Sequence, residues 1–306
     1  EYAAREGAVR FWQSLEPEQL SGTVLVVLAA DVTAIWAHHI YTNPVDGKNL
    51  NRIYPCKADG TLTEVIAHTL MEQVISQADA IIDCHGGEFD EFMGLYLLTS
   101  ISGDPDLDKR TLELAYALGL PFIEVTDASG AWLGRGTLKA EAVRLDRPAM
   151  GESALDKKSL DLAQALGMPF IEVTDASGAW LGRGTLQAEA VQLGRPAMAI
   201  EAGEGGRRYE RAIAATFNAL QNAARHLGIS PGQPVPWAGQ PVWLKEGLIV
   251  RATSGGVFKR QVMTGDWVEA GQLFGQVFDF DGSLLEEIRA EQQETADQAR
   301  PSSGFE

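Results

Sequence analysis

Cysteine is nearly absent. Cys56 and Cys84 are the only two among 306 residues, so no disulfide framework can be built and a reducing cytoplasm is the expected compartment. Positive charge is also scarce: 25 Lys and Arg face 42 Asp and Glu, for a net charge of −17. With no local basic patch to offset it, that balance argues against nucleic acid and anionic membranes as partners. Long apolar runs are missing too. The best, Thr23 to Ala37, carries Asp31 and falls short of the roughly 18 residues a bilayer requires. An initiating methionine is lacking, and the natural start is therefore expected upstream of Glu1. What is present is ordinary: 45% hydrophobic residues, 22% charged, and 32 Gly against 13 Pro. This excludes collagen-like and wholly disordered chains, and the length suits one large domain or a large and a small one.

Ala3 to Leu15 is rich in helix formers, with apolar Ala8, Val9, Phe11 and Trp12, and Thr23 to Ala30 is a continuous apolar run. These read as a helix followed by a strand buried on both faces. Thr61 and Glu64 have capping-box spacing, and Leu62, Val65, Ile66, Leu70 and Val74 follow on one helical face. Ala80 to Cys84 is a second short buried strand. Helices alternating with apolar strands predict an α/β domain around a mostly parallel or mixed sheet, with ligands at the carboxyl ends of strands. A long helix with Tyr209, Ile213, Phe217, Leu220 and Leu227 on one stripe closes at Gly228, which ends a domain over 1–228. Pro231, Pro234 and Pro236 mark a linker. The short runs Val242 to Leu244, Leu248 to Val250, Val257 to Phe258 and Leu273 to Phe280, divided by glycine turns, predict a small β domain over 229–290. Residues 291–306 are polar, aperiodic and expected to be disordered.

One segment occurs twice. Pro121 to Leu138 recurs unchanged from Pro169, and the match extends to residues 103–150 and 151–198, which differ at 11 of 48 positions. Two copies are too few for a solenoid. Each holds a helix (Leu112 to Leu118, Leu160 to Leu166) and a strand (Pro121 to Thr126, Pro169 to Thr174), so two nearly equal strands compete for one place in the sheet.

Five histidines narrow the search for chemistry. His68 lies opposite the apolar stripe of its helix and reads as solvated. His226, beside Arg225 in a last helical turn, suits the helix dipole. His38 and His39 point to opposite faces of an extended chain, which suits a loop better than a shared metal. His85 differs, because Asp83-Cys84-His85-Gly86-Gly87 puts it at the carboxyl end of a buried strand, two residues after a carboxylate and beside glycines that let a ligand approach. A site histidine and a satisfied structural one both remain open on this alone. Asn49, Asn51 and Arg52 follow the Asp46-Gly47 turn. Arg52 offers a planar fork suited to a carboxylate, and a capped turn with a surface arginine is the equal alternative.

Taken in order, Asp46-Gly-Lys-Asn-Leu-Asn-Arg52 with Tyr54-Pro55, Asp83-Cys-His-Gly-Gly87 and Ile200-Glu-Ala-Gly203 resemble the succinylglutamate desuccinylase/aspartoacylase family over roughly residues 1 to 290. Glu1-Tyr2-Ala3 resembles the end of that family's His-Gly-Asp-Glu metal motif. The resemblance implies a zinc-carboxypeptidase-like α/β domain followed by a small, lipoyl-like β domain, here cut short where the chain turns polar at Glu291. It implies one zinc ion per chain, with Glu1 and His85 as ligands and a third, a histidine three residues before Glu1, outside this sequence. Glu201 would be the general base, and Asn51 and Arg52 would hold the substrate or polarise its carbonyl. The implied reaction is hydrolysis of the amide bond of a small N-acyl amino acid or related compound. The implied enzyme is cytoplasmic, has no nucleic-acid or membrane partner, and is compatible with a homo-oligomer. Two other readings stand beside it: an impaired family member serving as a structural or binding protein, and a carboxypeptidase-like zinc peptidase. Residues Gly265 to Gly275 resemble a lipoyl-like module but carry no lysine at a hairpin tip, so no carrier function is expected.

Overall fold

The computed structural model describes residues 1–88, 91–127, 172–173, 185–235, 237, 242–243, 252–263, 266 and 268–290. The expected helix Leu160 to Leu166, the run Leu248 to Val250 and the tail 291–306 lie outside the described residues.

A mixed sheet forms the centre. Its order is β1 (Ile81–His85), β5 (Ala197–Glu204), β2 (Phe92–Ile101), β3 (Phe122–Asp127) and β4 (Glu172–Val173), with β6 (Val242–Trp243) also on β3. β1 is parallel to β5, and β2 is antiparallel to β5 but parallel to β3. β5 reads Ala-Met-Ala-Ile-Glu-Ala-Gly-Glu, nearly all apolar, because helices cover both its faces. Met198, Ile200 and Ala202 pack with Leu97, with α1 (Tyr2–Gln13), α4 (Pro105–Leu118) and α6 (Glu210–His226). The alternate residue Ala197 packs on the other side with α3 (Leu62–Gln73) and α5 (Leu186–Gln192) through Ala67, Met71, Ala190 and Val191. Glu201 shares that second side by the same alternation.

The helices follow their signals with some corrections. α1 buries Ala3, Ala4, Ala8 and Phe11, but Trp12 is half exposed. α3 begins at the expected capping box of Thr61 and Glu64. Its buried stripe is Thr63, Ala67 and Met71 rather than the bulkier set starting at Leu62, which is exposed. Thr23 to Ala30 forms no strand. Val24 and Val26 pack on the core while Leu25 and Val27 face outward, so one face is buried and not both.

The duplicated strands do not compete as expected. β4, from the second copy, lies beside β3, from the first, with Glu124 opposite Glu172 and Val125 opposite Val173. Each residue therefore faces its own duplicate. The run Val242 to Leu244, assigned above to the small β region, instead gives β6 to the main sheet opposite Phe122 and Ile123. The remaining C-terminal strands, β7 (Val257–Arg260), β8 (Leu273–Phe278) and β9 (Leu284–Arg289), form a separate three-stranded antiparallel sheet. Among the described residues no helix is long and apolar enough to cross a membrane.

Candidate active site

Parallel pairing of β1 with β5 brings their carboxyl ends together, in the register Asp83 to Ala199 and His85 to Glu201. Asp83, two residues before His85, falls on the same face. His85 Nε2 lies 2.8 Å from Asp83 Oδ2, and His85 Nδ1 lies 2.9 Å from Glu1 Oε1. Glu1 reaches the site because α1 starts directly beside it. Gly86 is explained by backbone rather than by ligand access, since a Cβ there would stand 2.5 Å from the Ala202 carbonyl oxygen.

Asn51 approaches from a short helical turn, Leu50–Arg52. Asp46 fastens this region to α3 by accepting from Thr63 N at 2.8 Å, Thr63 Oγ1 at 2.6 Å and Lys48 N at 3.2 Å. These bonds hold the Asp46 carboxyl far below its ordinary range against the opposing pull of desolvation. Asn51 Nδ2 stands 3.2 Å from His85 Nε2, and Asn51 Oδ1 accepts from Leu186 N at 2.8 Å. Arg52 is exposed at the rim, donating to the Asn51 carbonyl at 2.6 Å, with Glu201 within its electrostatic reach.

The electrostatics are unusual for so small a volume. Burial alone would lower the His85 pKa, but the carboxylates of Asp83 and Glu1 outweigh it and hold the imidazole protonated well above its ordinary range. Glu201, only 8% exposed, is pushed up to about 8, first by burial and then by Glu1, Asp83 and Glu91, with His85 opposing. A carboxyl poised near neutrality in a crowded acidic site marks a functional candidate.

The structure thus brings Glu1, His85 and Asn51 into contact, sets Glu201 beside His85 in the sheet, and leaves Arg52 at the edge. Two contributors had escaped the sequence reading. Glu91 had no motif to mark it. The helix starting at Leu186 was signalled by Thr185 ahead of the helix formers Leu-Gln-Ala-Glu-Ala. The His85 imidazole thus sits between two carboxylates, Glu1 against Nδ1 and Asp83 against Nε2. Among the described residues no group of three or more His, Cys, Asp and Glu is placed to hold a metal ion.

An α/β sheet with its polar cluster at the carboxyl ends of strands defines an open-sheet protein with a ligand site in the usual place. The chain belongs to the succinylglutamate desuccinylase/aspartoacylase family, whose catalytic-domain model matches residues 1–227. N-alpha-acetyl-L-2,4-diaminobutyric acid deacetylase from Halomonas elongata is 30% identical over 122 residues, which cover 40% of this chain and 35% of that relative. The matched stretch is therefore little more than a third of the relative's length. Among solved structures, a succinylglutamate desuccinylase/aspartoacylase from Rhodobacter sphaeroides superposes with a TM-score of 0.70 at 20% identity, covering 95% of this chain and 74% of the other. The product-bound ectoine utilization protein EutE (DoeB) from Ruegeria pomeroyi gives 0.69 at 20% identity, covering 95% and 73%. These two likenesses establish the shared fold.

Proposed function

We propose that this chain is a zinc-dependent amidohydrolase that removes the acyl group from a small N-acyl amino acid. The observation that carries the reading is the convergence of the Glu1 carboxylate on the His85 imidazole beside a carboxyl, Glu201, held near neutrality. Glu1 and His85 would hold one zinc ion. A zinc ion there supplies Lewis acidity and lowers the pKa of bound water toward neutrality. Glu201 accepts and returns a proton near pH 7, where its two forms are both populated. Asp83 fixes the His85 ring, Asn51 directs its Nδ2 toward the same space, and the Arg52 fork offers a partner to the substrate carboxylate.

The relative's printed substrate, an N-acetylated diamino acid, is the class we propose to try first. Its free amine would suit the carboxylates of Glu1, Asp83 and Glu91 grouped about Glu201. In the same reading residues 1–228 together with β6 are the catalytic unit, the sheet of β7 to β9 is a lipoyl-like β module, and the protein works in the cytoplasm without nucleic-acid or membrane partners.

The test is zinc content together with amine release from N-acetyl-2,4-diaminobutyrate. His85→Ala is expected to lose zinc. Glu201→Gln is expected to keep zinc and lose turnover by about 100- to 10,000-fold. Unchanged zinc in the first variant or full turnover in the second removes that residue from the assignment.

A further inference from the structure

α5 starts at Leu186 and is capped by Thr185, whose hydroxyl accepts from Ala188 N at 3.3 Å. The Leu186 N–H is one of the donors a helix leaves without an internal partner, and it donates to Asn51 Oδ1. That bond decides which end of the Asn51 amide faces His85. Thr137-Leu138 in the first copy is the same dipeptide within the same unchanged block, so local sequence does not choose between the two.

Differences outside the block do choose. Gln187 is 1% exposed, and its counterpart Lys139 would carry a charge into that buried place. Gly194 adopts φ +75, a left-handed conformation that would cost an aspartate, the residue type at the counterpart position 146, more than it costs glycine. The second copy also runs straight into β5, with Gly194 N bonded to the Val191 carbonyl and Arg195 N to that of Ala190. The front half shows the opposite preference. Asp104 caps α4, and Asp108 accepts from Ser102 N, Ser102 Oγ and Gly103 N. The second copy has Glu152 for Asp104 and Met150 for Ser102. Arg110 of the first copy donates to the Gly194 carbonyl of the second at 3.4 Å, joining the two halves into one unit.

We propose that the group that orients Asn51 is the Leu186 N–H, and that the second copy rather than the first supplies it. The proposal rests on the reading above only for what Asn51 does; the bond and the copy that makes it are tested without zinc or substrate. Leu186 is the first helical residue, where proline fits, and Thr185 at φ −84, ψ 149 already has the backbone that precedes proline. Leu186→Pro therefore deletes the donor and keeps the helix, whereas Leu186→Ala trims the side chain and keeps the donor.

The readout is the imidazole nitrogen spectrum of His85 in the full metal-free chain, assigned by its loss in His85→Gln, with circular dichroism as the fold check. The His85 resonances are expected to move in Leu186→Pro and to stay in place in Leu186→Ala and Leu138→Pro. Movement in Leu138→Pro, equal movement in both Leu186 variants, or no movement in a folded Leu186→Pro overturns the proposal. Should Leu186→Pro fail to fold, hydrogen exchange in the unsubstituted chain decides, because peptides spanning 186–192 and 138–144 differ in mass. Exchange at least about tenfold slower in the second-copy peptide is expected, and equal or greater protection of the first-copy peptide overturns the proposal.

Discussion

Glu201 and His85 stand opposite each other at the ends of β5 and β1, and both are proton-rich in the fold. Between its ordinary 4.5 and about 8, Glu201 keeps a proton that the unfolded chain has released. Stability therefore falls as pH rises through that window. His85 acts in the same direction: its contribution is complete below the ordinary 6.5 and is lost as pH climbs through the higher folded value. The metal-free protein is expected to melt lower at about pH 8.5 than at about pH 5.5, with Glu201→Gln flattening the difference. Equal melting temperatures at both pH values in the parent would contradict the buried proton. At this scale the sequence was informative about which side chains meet. Glu201 was marked only by the resemblance of Ile200-Glu-Ala-Gly203, and Asp83 by standing two residues before His85. The Leu186 contribution was not legible, because a peptide N–H leaves no mark in the residue alphabet and Leu138 offers the same letters.

Elements were legible where a local signal was sufficient. The capping box of α3 and the apolar run of β1 fall where their residues place them. Where a partner decides, the letters misled. Thr23 to Ala30 has strand-like composition but buries one face only, and Val242–Trp243 joins the main sheet because β3 offers an edge to it. β2 went unread, although it pairs on both sides at the centre of the sheet. Its run from Phe92 to Ile101 alternates too little to declare a period. For α4 the decisive signal is its start, where Asp104 accepts from Asp106 N at 2.9 Å and Leu107 N at 3.3 Å, with Pro105 at the first helical position. Asp104→Ala is expected to remove about 1 kcal/mol of stability in denaturant titration. A loss near zero would show that the second copy can take over the position.

For the molecule as a whole, the repeat is absorbed between Asp127 at the end of β3 and Thr185 at the start of α5. Both flanking junctions, Ser102 to Asp108 and Leu193 to Pro196, remain tightly hydrogen-bonded. Deleting residues 128–175 joins Asp127 to Ala176 and restores a single unbroken unit with the first copy's front and the second copy's back. The deletion removes the two residues of β4, and a connection 48 residues shorter has less entropy to lose on closure. The shortened chain is therefore expected to melt no lower than the parent in calorimetry. A lower midpoint would mean that the removed residues support the fold.

The pairing of β3 with β4 sets each residue against its own duplicate. Such a pairing carries no record of which molecule either strand came from. The same two-residue strand on a neighbouring molecule would offer β3 the same backbone donors and acceptors, so the advantage of closing the edge from within rests on the covalent connection and shrinks as protein concentration rises.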